Sequence, residues 1–476
     1  GIAVSGGILN LGDAFNASVL GNIVQTAGTV NLTGTMTLDQ ASTNLSTVGM
    51  TGLVVNGGTI VGGGSTLTSN GTLALSATSG ATLNNVVLAT DLSVTGLAYF
   101  SNGLTLAQNA TTTNNATVTL ATSGDLRYSG TQTLGGTGSL VFASNSTNYL
   151  YRQTAGTTLT IGSGITVSGS GTGNVNLGYY TDDAINFQGT LNANVAGKTW
   201  YLGSVANTGN INVSAGTVHM DTVSGTGTWT NTGTVGKGIA VSGGILNLGD
   251  AFNASVLGNI VQTGGTVNLT GVMTLNQAST NLSTVGLTSL VVTGGGAEII
   301  GGGNTLTSNG TLALSATGGA TLNNVTLATD LTVSGFAILQ NGLTLAQNAT
   351  TANNATLTLG TSADLRYNGT QTLGGTGNLV FGGTGTTYLY RQTAGTTLTI
   401  GSGITVSGSG TGNASLGYYA DETIDFRGTL NASVGGKTWY LGGINNTGNI
   451  NVSAGTVNMD SISGTSTWMN TGAVGK

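Results

Sequence analysis

Two adjacent carboxylates, Asp182-Asp183, recur as Asp421-Glu422 in this chain of 476 residues. Paired carboxyls are the equipment of glycoside cleavage, one protonating the leaving oxygen and the other acting as nucleophile or base. Neighbours on a strand face opposite ways, so such a pair shares a site only from a loop. Tyr179-Tyr180 before the first pair and Ile185-Asn186-Phe187 after it place the pair between strands, where it reads as a solvated corner. His219 is the single histidine, and Asn458 takes its place in the later pattern. A histidine triad or histidine metal cluster repeated through the chain is therefore ruled out, and His219 reads as an incidental surface residue. Calcium-binding nonapeptides need Gly-Gly-x-Gly-x-Asp in succession, a spacing that GGILNLGD (Gly6 to Asp13) lacks. No catalytic residue, metal or cofactor is expected.

The denser cluster is aromatic. Tyr149, Tyr151, Tyr179, Tyr180, Trp200 and Tyr201 gather with Tyr128, Phe142 and Phe187 in one stretch, among Asp125, Arg127, Arg152 and Lys198. The same pattern returns as Tyr388, Tyr390, Arg391, Tyr418, Tyr419, Trp439 and Tyr440. Rings with sparse charges are able to bind sugars by stacking. They serve equally as an aromatic ladder along one face, which is the first reading, with glycan or partner contact the second. Arg152 is expected to cap the tyrosines by a cation–π contact. Thr rows such as TLTS near Thr66 and TLTI near Thr158 resemble ice-binding arrays, but coils of unequal length would break a flat array.

These residues must be carried by an unusual scaffold. Gly accounts for 84 residues, Pro and Cys for none, and charged residues for 5 %, against about 25 % in ordinary domains. With 38 % apolar residues the chain is not of disordered composition. Gly, Thr, Asn, Ser and Val are weak helix formers, which leaves β structure with frequent Gly/Asn turns. Nine Lys and Arg residues are too few for nucleic-acid binding, and no apolar run is long enough for a membrane helix. Gly1 follows no leader pattern, so the chain reads as a mature segment or an excerpt of something longer.

Two periods run through the chain. GIAVSGGILNLGDAFNASVLGNIVQT at Gly1 returns at Gly238, and Lys237 matches Lys476, so copy one is 1–237 and copy two 238–476. Within each copy, blocks of about 21–24 residues hold short strands that alternate apolar and polar, as in ATVTLATS around Val118 and Leu120. Stacked coils explain this composition: small apolar residues fill a narrow interior, Gly and Asn turn the corners, and Pro would delete a ladder donor in every layer. The expected fold is all-β, a parallel β-helix (β-solenoid) in one continuous rod of roughly 100 Å, given about 4.8 Å per coil. Right-handed coiling is the expectation from parallel crossovers in general.

SGTQTLGGTGSLVF (Ser129 to Phe142), TAGTTLTIGSGITVSGSG (Thr154 to Gly171), FQGTLNANVAGKTWYL (Phe187 to Leu202) and NTGNINVSAGTV (Asn207 to Val218) resemble the β-helical repeats of very large secreted bacterial surface proteins. Autotransporter-like and filamentous-haemagglutinin-like adhesins and filaments are among them. The resemblance implies an extracellular or cell-surface place and no shared catalytic residues. Neither GIAVSGG nor TGAVGK has a capping pattern, so the expected role is a segment of an extracellular filament, sheath or stalk. Its partners would be further copies, stacked through Gly1, Ile2 and Val4 at one end and Val474 and Lys476 at the other. The alternative is an adhesin shaft with a glycan-binding aromatic face. A polysaccharide-cleaving β-helix is the weakest reading, given so few charges.

Overall fold

Alternation decides where each side chain goes. In the strand Thr117–Leu120, Val118 and Leu120 are buried while Thr117 and Thr119 lie outside. Thr158–Ile161, Asn210–Val213 and Thr356–Leu359 repeat the pattern. The computed structural model, which describes residues 1–71, 73–234 and 236–472, is a parallel β-solenoid of about 19 turns. Single 3-10 turns at Ala17–Val19 and Ala254–Val256 are its helical elements among the described residues. Two compact units divide it: Gly1–Asp250 with Gly258–Gly265, and Ala251–Leu257 with Thr266–Lys476. The copy seam at Lys237 therefore lies inside the first unit.

One twelve-stranded parallel sheet runs the length of the first unit, from Ile2–Leu11 to Ile260–Gln262. Its register stacks Leu53, Leu75, Leu92, Val118 and Leu140 one upon another. The same column continues through Val167, Leu191, Ile211, Ile239 and Ile260. All ten side chains are at most 3 % exposed. In the second unit Leu290, Leu314, Leu331, Leu357, Leu379, Val406 and Leu430 are likewise buried.

Coil length centres on the expected range but spreads around it. Leu75 pairs with Leu92 and Leu104 with Leu134, a spread from 17 to 30 residues. Loops outside the strands absorb the difference, so the column is unbroken. Outward amides stack as expected from the composition, with Asn102 donating to Asn84 at 2.9 Å and Asn212 to Asn192 at 2.9 Å. Corners require left-handed backbone or close approach. Gly136 has φ +84, and a Cβ there would stand 2.0 Å from the Leu106 carbonyl oxygen.

Leu140→Ala should cost about 2–5 kcal/mol, because a cavity opens between layers that cannot collapse independently. Ser139→Ala, on the outer face of the same strand, should change stability by less than about 0.5 kcal/mol. Denaturant titration of the two variants checks the difference.

Candidate functional site

Two neighbouring strands, Asp125–Ser129 and Asn148–Arg152, pair so that Tyr149 stacks beside Asp125 and Tyr151 beside Arg127. The next coil adds Tyr179 and Tyr180 in the turn after Val175–Leu177. The rings meet edge to face: Tyr149 to Tyr179 at 5.8 Å, Tyr151 to Tyr180 at 5.8 Å and Tyr179 to Tyr180 at 5.0 Å between centroids. The Arg127 guanidinium lies 4.7 Å over the Tyr151 ring, and that of Arg152 lies 4.6 Å over Tyr180. The cation–π cap expected of Arg152 is thus present. In the second unit Tyr388, Tyr390, Tyr418 and Tyr419 repeat the cluster, with Arg391 at 4.5 Å over Tyr419. There Asp364 and the four tyrosines line a shallow groove of about 340 Å³.

The paired carboxylates do not share a site, and the expectation of a solvated corner holds for only one of each pair. Asp182 lies outside in an ion pair with Arg152, as Asp421 does with Arg391. Asp183 is buried. Its carboxylate accepts the backbone N–H groups of Tyr179 and Tyr180, both at 2.6 Å, and that of Arg152 at 3.2 Å. Glu422 does the same for Tyr418, Tyr419 and Arg391 at 2.8, 3.1 and 2.6 Å. Burial raises the Glu422 pKa despite those donors. One side chain of each pair thus holds the turn that presents the tyrosines.

The aromatic candidates separate into two groups. Trp200 and Trp439 point into the interior, each 1 % exposed, and pack edge-on against Phe142 and Phe381. They are corrected to core residues, because strand alternation puts them in phase with Leu202 and Leu441. Tyr201 and Tyr440 face outward but are separated from the tyrosine cluster by Asn176 and Ser415 in the register. Tyr201 stacks on His219 at 4.8 Å with the rings 16° from parallel. His219 is therefore a rung of an outer ladder, not an incidental residue, and burial lowers its pKa. Ile2 and Val4 lie on the edge strand Ile2–Leu11, which Gly1 precedes, whereas Val474 and Lys476 lie outside the described residues.

Two lysines are buried beneath this surface. Lys198 donates from Nζ to the carbonyls of Gly171 and Gly173, both at 2.9 Å, and sits 5.7 Å from the Trp200 ring. Lys437 donates to Phe381, Gly410 and Gly412 at 3.2, 3.2 and 2.6 Å. Burial pushes both pKa values down to about 8. Sequence reading grouped Lys198 with the surface cluster, although its phase with Trp200 marks it as inward. Asp183 carried the same signal through its phase with Ile185 and Phe187.

A second concavity of about 420 Å³ lies on the first unit, lined by Gln25, Val54, Ser76, Asp91 and Thr119 among others. Asp91 already accepts the Thr117 N–H at 2.9 Å, and no second charged group joins it there. The tyrosine groove has the denser chemistry: exposed ring edges, a carboxylate and a guanidinium in one place. Burial pushes the Tyr151 and Tyr390 hydroxyls up to about 12, so they stay protonated donors at neutral pH. Compared with family models, curated protein sequences and solved structures, the chain matches none of them.

Two outcomes follow from the buried groups. Asp183→Ala should cost about 2–4 kcal/mol by leaving buried donors unpaired, and Asp182→Ala less than about 1 kcal/mol; thermal or denaturant unfolding separates them. The lysines bind their protons less tightly folded than unfolded, so stability should rise with pH from about 8 toward about 10. The tyrosines hold theirs more tightly folded, so stability should fall above about pH 10. Lys198→Met with Lys437→Met should flatten the rise and leave the fall.

Proposed function

We propose that this chain is a structural repeat segment of an extracellular filament, sheath or stalk, joined end to end with further copies through β-edges. The observation that carries the reading is the seam between the sequence copies. Asn210–Val213 pairs in parallel with Gly238–Val241, and Thr217–Met220 with Ile245–Leu248. The last coils of copy one therefore form a fitted seat for the first residues of copy two. Gly238, at the seam, has φ +129, and a Cβ there would stand 2.2 Å from the Asn259 carbonyl oxygen.

The same two surfaces recur in the sequence, at Ile2 and at Val452. Ile239 is 1 % exposed in the seam, whereas its equivalent Ile2 is 46 % exposed. Val213 is 0 % exposed, whereas its equivalent Val452 is 56 % exposed. Pairing Asn449–Val452 of one copy with Gly1–Val4 of another would set Ile450 on Ile2 and Val452 on Val4, as Ile211 sits on Ile239 and Val213 on Val241. An unpaired strand edge with apolar side chains is a template for such addition. The extracellular setting rests on the resemblance of the repeats.

A second reading is supported by the tyrosine groove, which recurs with the same residue types in both units. It would bind a saccharide by ring stacking along a shaft. Loss of a glycan-array signal in the Tyr179→Ala, Tyr180→Ala, Tyr418→Ala, Tyr419→Ala variant would favour it.

Electron microscopy and sedimentation of the 476-residue chain test the first reading. Linear multimers are expected. Ile2→Lys with Val452→Lys should give single particles with an unchanged far-ultraviolet circular dichroism spectrum. A wild-type chain that stays single at every concentration and pH overturns the reading.

A further inference from the structure

The two tyrosine clusters differ where the preceding coil meets them. In the first unit Leu97 pairs with Asp125 and Tyr99 with Arg127. In the second unit Phe336 takes the place of Leu97, beside Asp364, and Ile338 that of Tyr99, beside Arg366. The guanidinium groups lie differently as a result. Arg127 stands 4.7 Å over Tyr151, whereas Arg366 stands 4.2 Å over Phe336 and 5.3 Å from the centre of Tyr390. Gly319 makes room for the Phe336 ring, since a Cβ there would stand 2.9 Å from its Cζ. Arg366 also closes on Asp364 to 3.1 Å, against 3.8 Å between Arg127 and Asp125. One exchanged ring thus turns the guanidinium of the second unit away from Tyr390.

What lines the groove there is four rings and one carboxylate: Tyr388, Tyr390, Tyr418, Tyr419 and Asp364. Tyr388 and Tyr390 stand at 90° with centroids 6.3 Å apart, and Tyr390 and Tyr418 at 48° and 5.9 Å. A cation within about 6 Å of a ring centroid is attracted by its face. Rings set at such angles offer a sugar plane one face at a time, but a compact cation several at once. Asp364 accepts the Tyr390 hydroxyl and the Arg366 guanidinium through Oδ2, both at 3.1 Å, and among the described residues its Oδ1 accepts no hydrogen bond. Arg391, 4.5 Å over Tyr419, is paired with Asp421, and Glu422 is buried behind the turn. The side chains of the groove therefore carry no net positive charge.

We propose that the groove of the second unit is an aromatic cage for an organic ammonium ion, with Tyr388, Tyr390 and Tyr418 as its walls and Asp364 as its counter-charge. Phe336 sets the specificity, because it withdraws the internal guanidinium that would otherwise compete for the Tyr390 face. The ligand chemistry is a cationic nitrogen, either a free methylated ammonium of the choline type or an ammonium group carried on a saccharide. The cage holds whether or not copies join end to end. Of the saccharide reading it keeps only sugars that bear such a group.

Calorimetric titration of the full chain tests the cage with four probes: choline, its uncharged isostere with tert-butyl in place of trimethylammonium, a glucosamine oligosaccharide, and the N-acetylated oligosaccharide of the same length. At least one cationic probe should bind about tenfold more tightly than its neutral counterpart; the pair that shows the difference names the source of the ammonium. Tyr390→Leu should weaken that binding about tenfold. Phe336→Leu, which restores the residue of the first unit, should do the same by letting Arg366 stand over Tyr390 as Arg127 stands over Tyr151. Far-ultraviolet circular dichroism of both variants should match the wild type. Equal binding of the two oligosaccharides, with no preference for choline over its isostere, overturns the cage and leaves the saccharide reading standing. Binding of none of the four overturns both. Cationic binding that is unchanged in Tyr390→Leu and in Phe336→Leu also overturns the cage, since it places the cation elsewhere.

Discussion

Parallel in-register pairing between successive coils is the constraint on which everything else depends. It places each residue about 4.8 Å from its counterpart one coil away, pointing the same way. A side chain is therefore chosen together with its neighbours above and below. Aliphatic residues stack well under that rule, and the column from Leu53 to Ile260 is the result. Amides stack by donating to one another, as Asn212 does to Asn192. Like charges would repel at this spacing, which accounts physically for a chain with 5 % charged residues.

The rule also explains where the few buried charges sit. Coils of unequal length must let backbone out of the ladder, and each such loop frees carbonyls or N–H groups that have no strand partner. Lys198 answers the first case. Its ammonium takes up the carbonyls of Gly171 and Gly173 in the loop between Ile165–Gly169 and Val175–Leu177. Asp183 answers the second, its carboxylate taking up the N–H groups of Tyr179 and Tyr180 in the next turn. A cation for stray carbonyls and an anion for stray amides is one solution in two signs. Both sit one turn from the tyrosines, so the scaffold that presents the aromatic surface is fixed from inside by ions.

The sequence made the architecture legible because alternation, Gly-rich corners and the absence of Pro all derive from the ladder itself. Tyr149, Tyr151, Tyr179 and Tyr180 were legible as a cluster because they lie on consecutive coils at outward phase. Trp200 was misplaced because ring chemistry was read without phase: two steps from Leu202 it faces inward, and size alone does not expose it. Lys198 and Asp183 were missed for the opposite reason. Charge suggests surface, and only the loops they serve, invisible in a repeat of average length, make a buried site favourable. The seat of Asp221 against Gly249 was beyond reach, since it depends on the 28-residue coil that brings Gly238 onto Asn210.

That last coil bears on why the chain says one sentence twice. A residue at the start of copy two is covered by the end of copy one, as Ile239 is by Ile211. A strand meant to stay unpaired would carry Lys or Pro along its edge to block addition. Gly238–Val241 carries neither, and its Ile239 and Val241 stack on Ile211 and Val213 in the same parallel register as coils within a copy. If copies join end to end as proposed, each new copy meets a seat whose residues the previous copy already fixed, and near-identity of the copies is what such an interface would require.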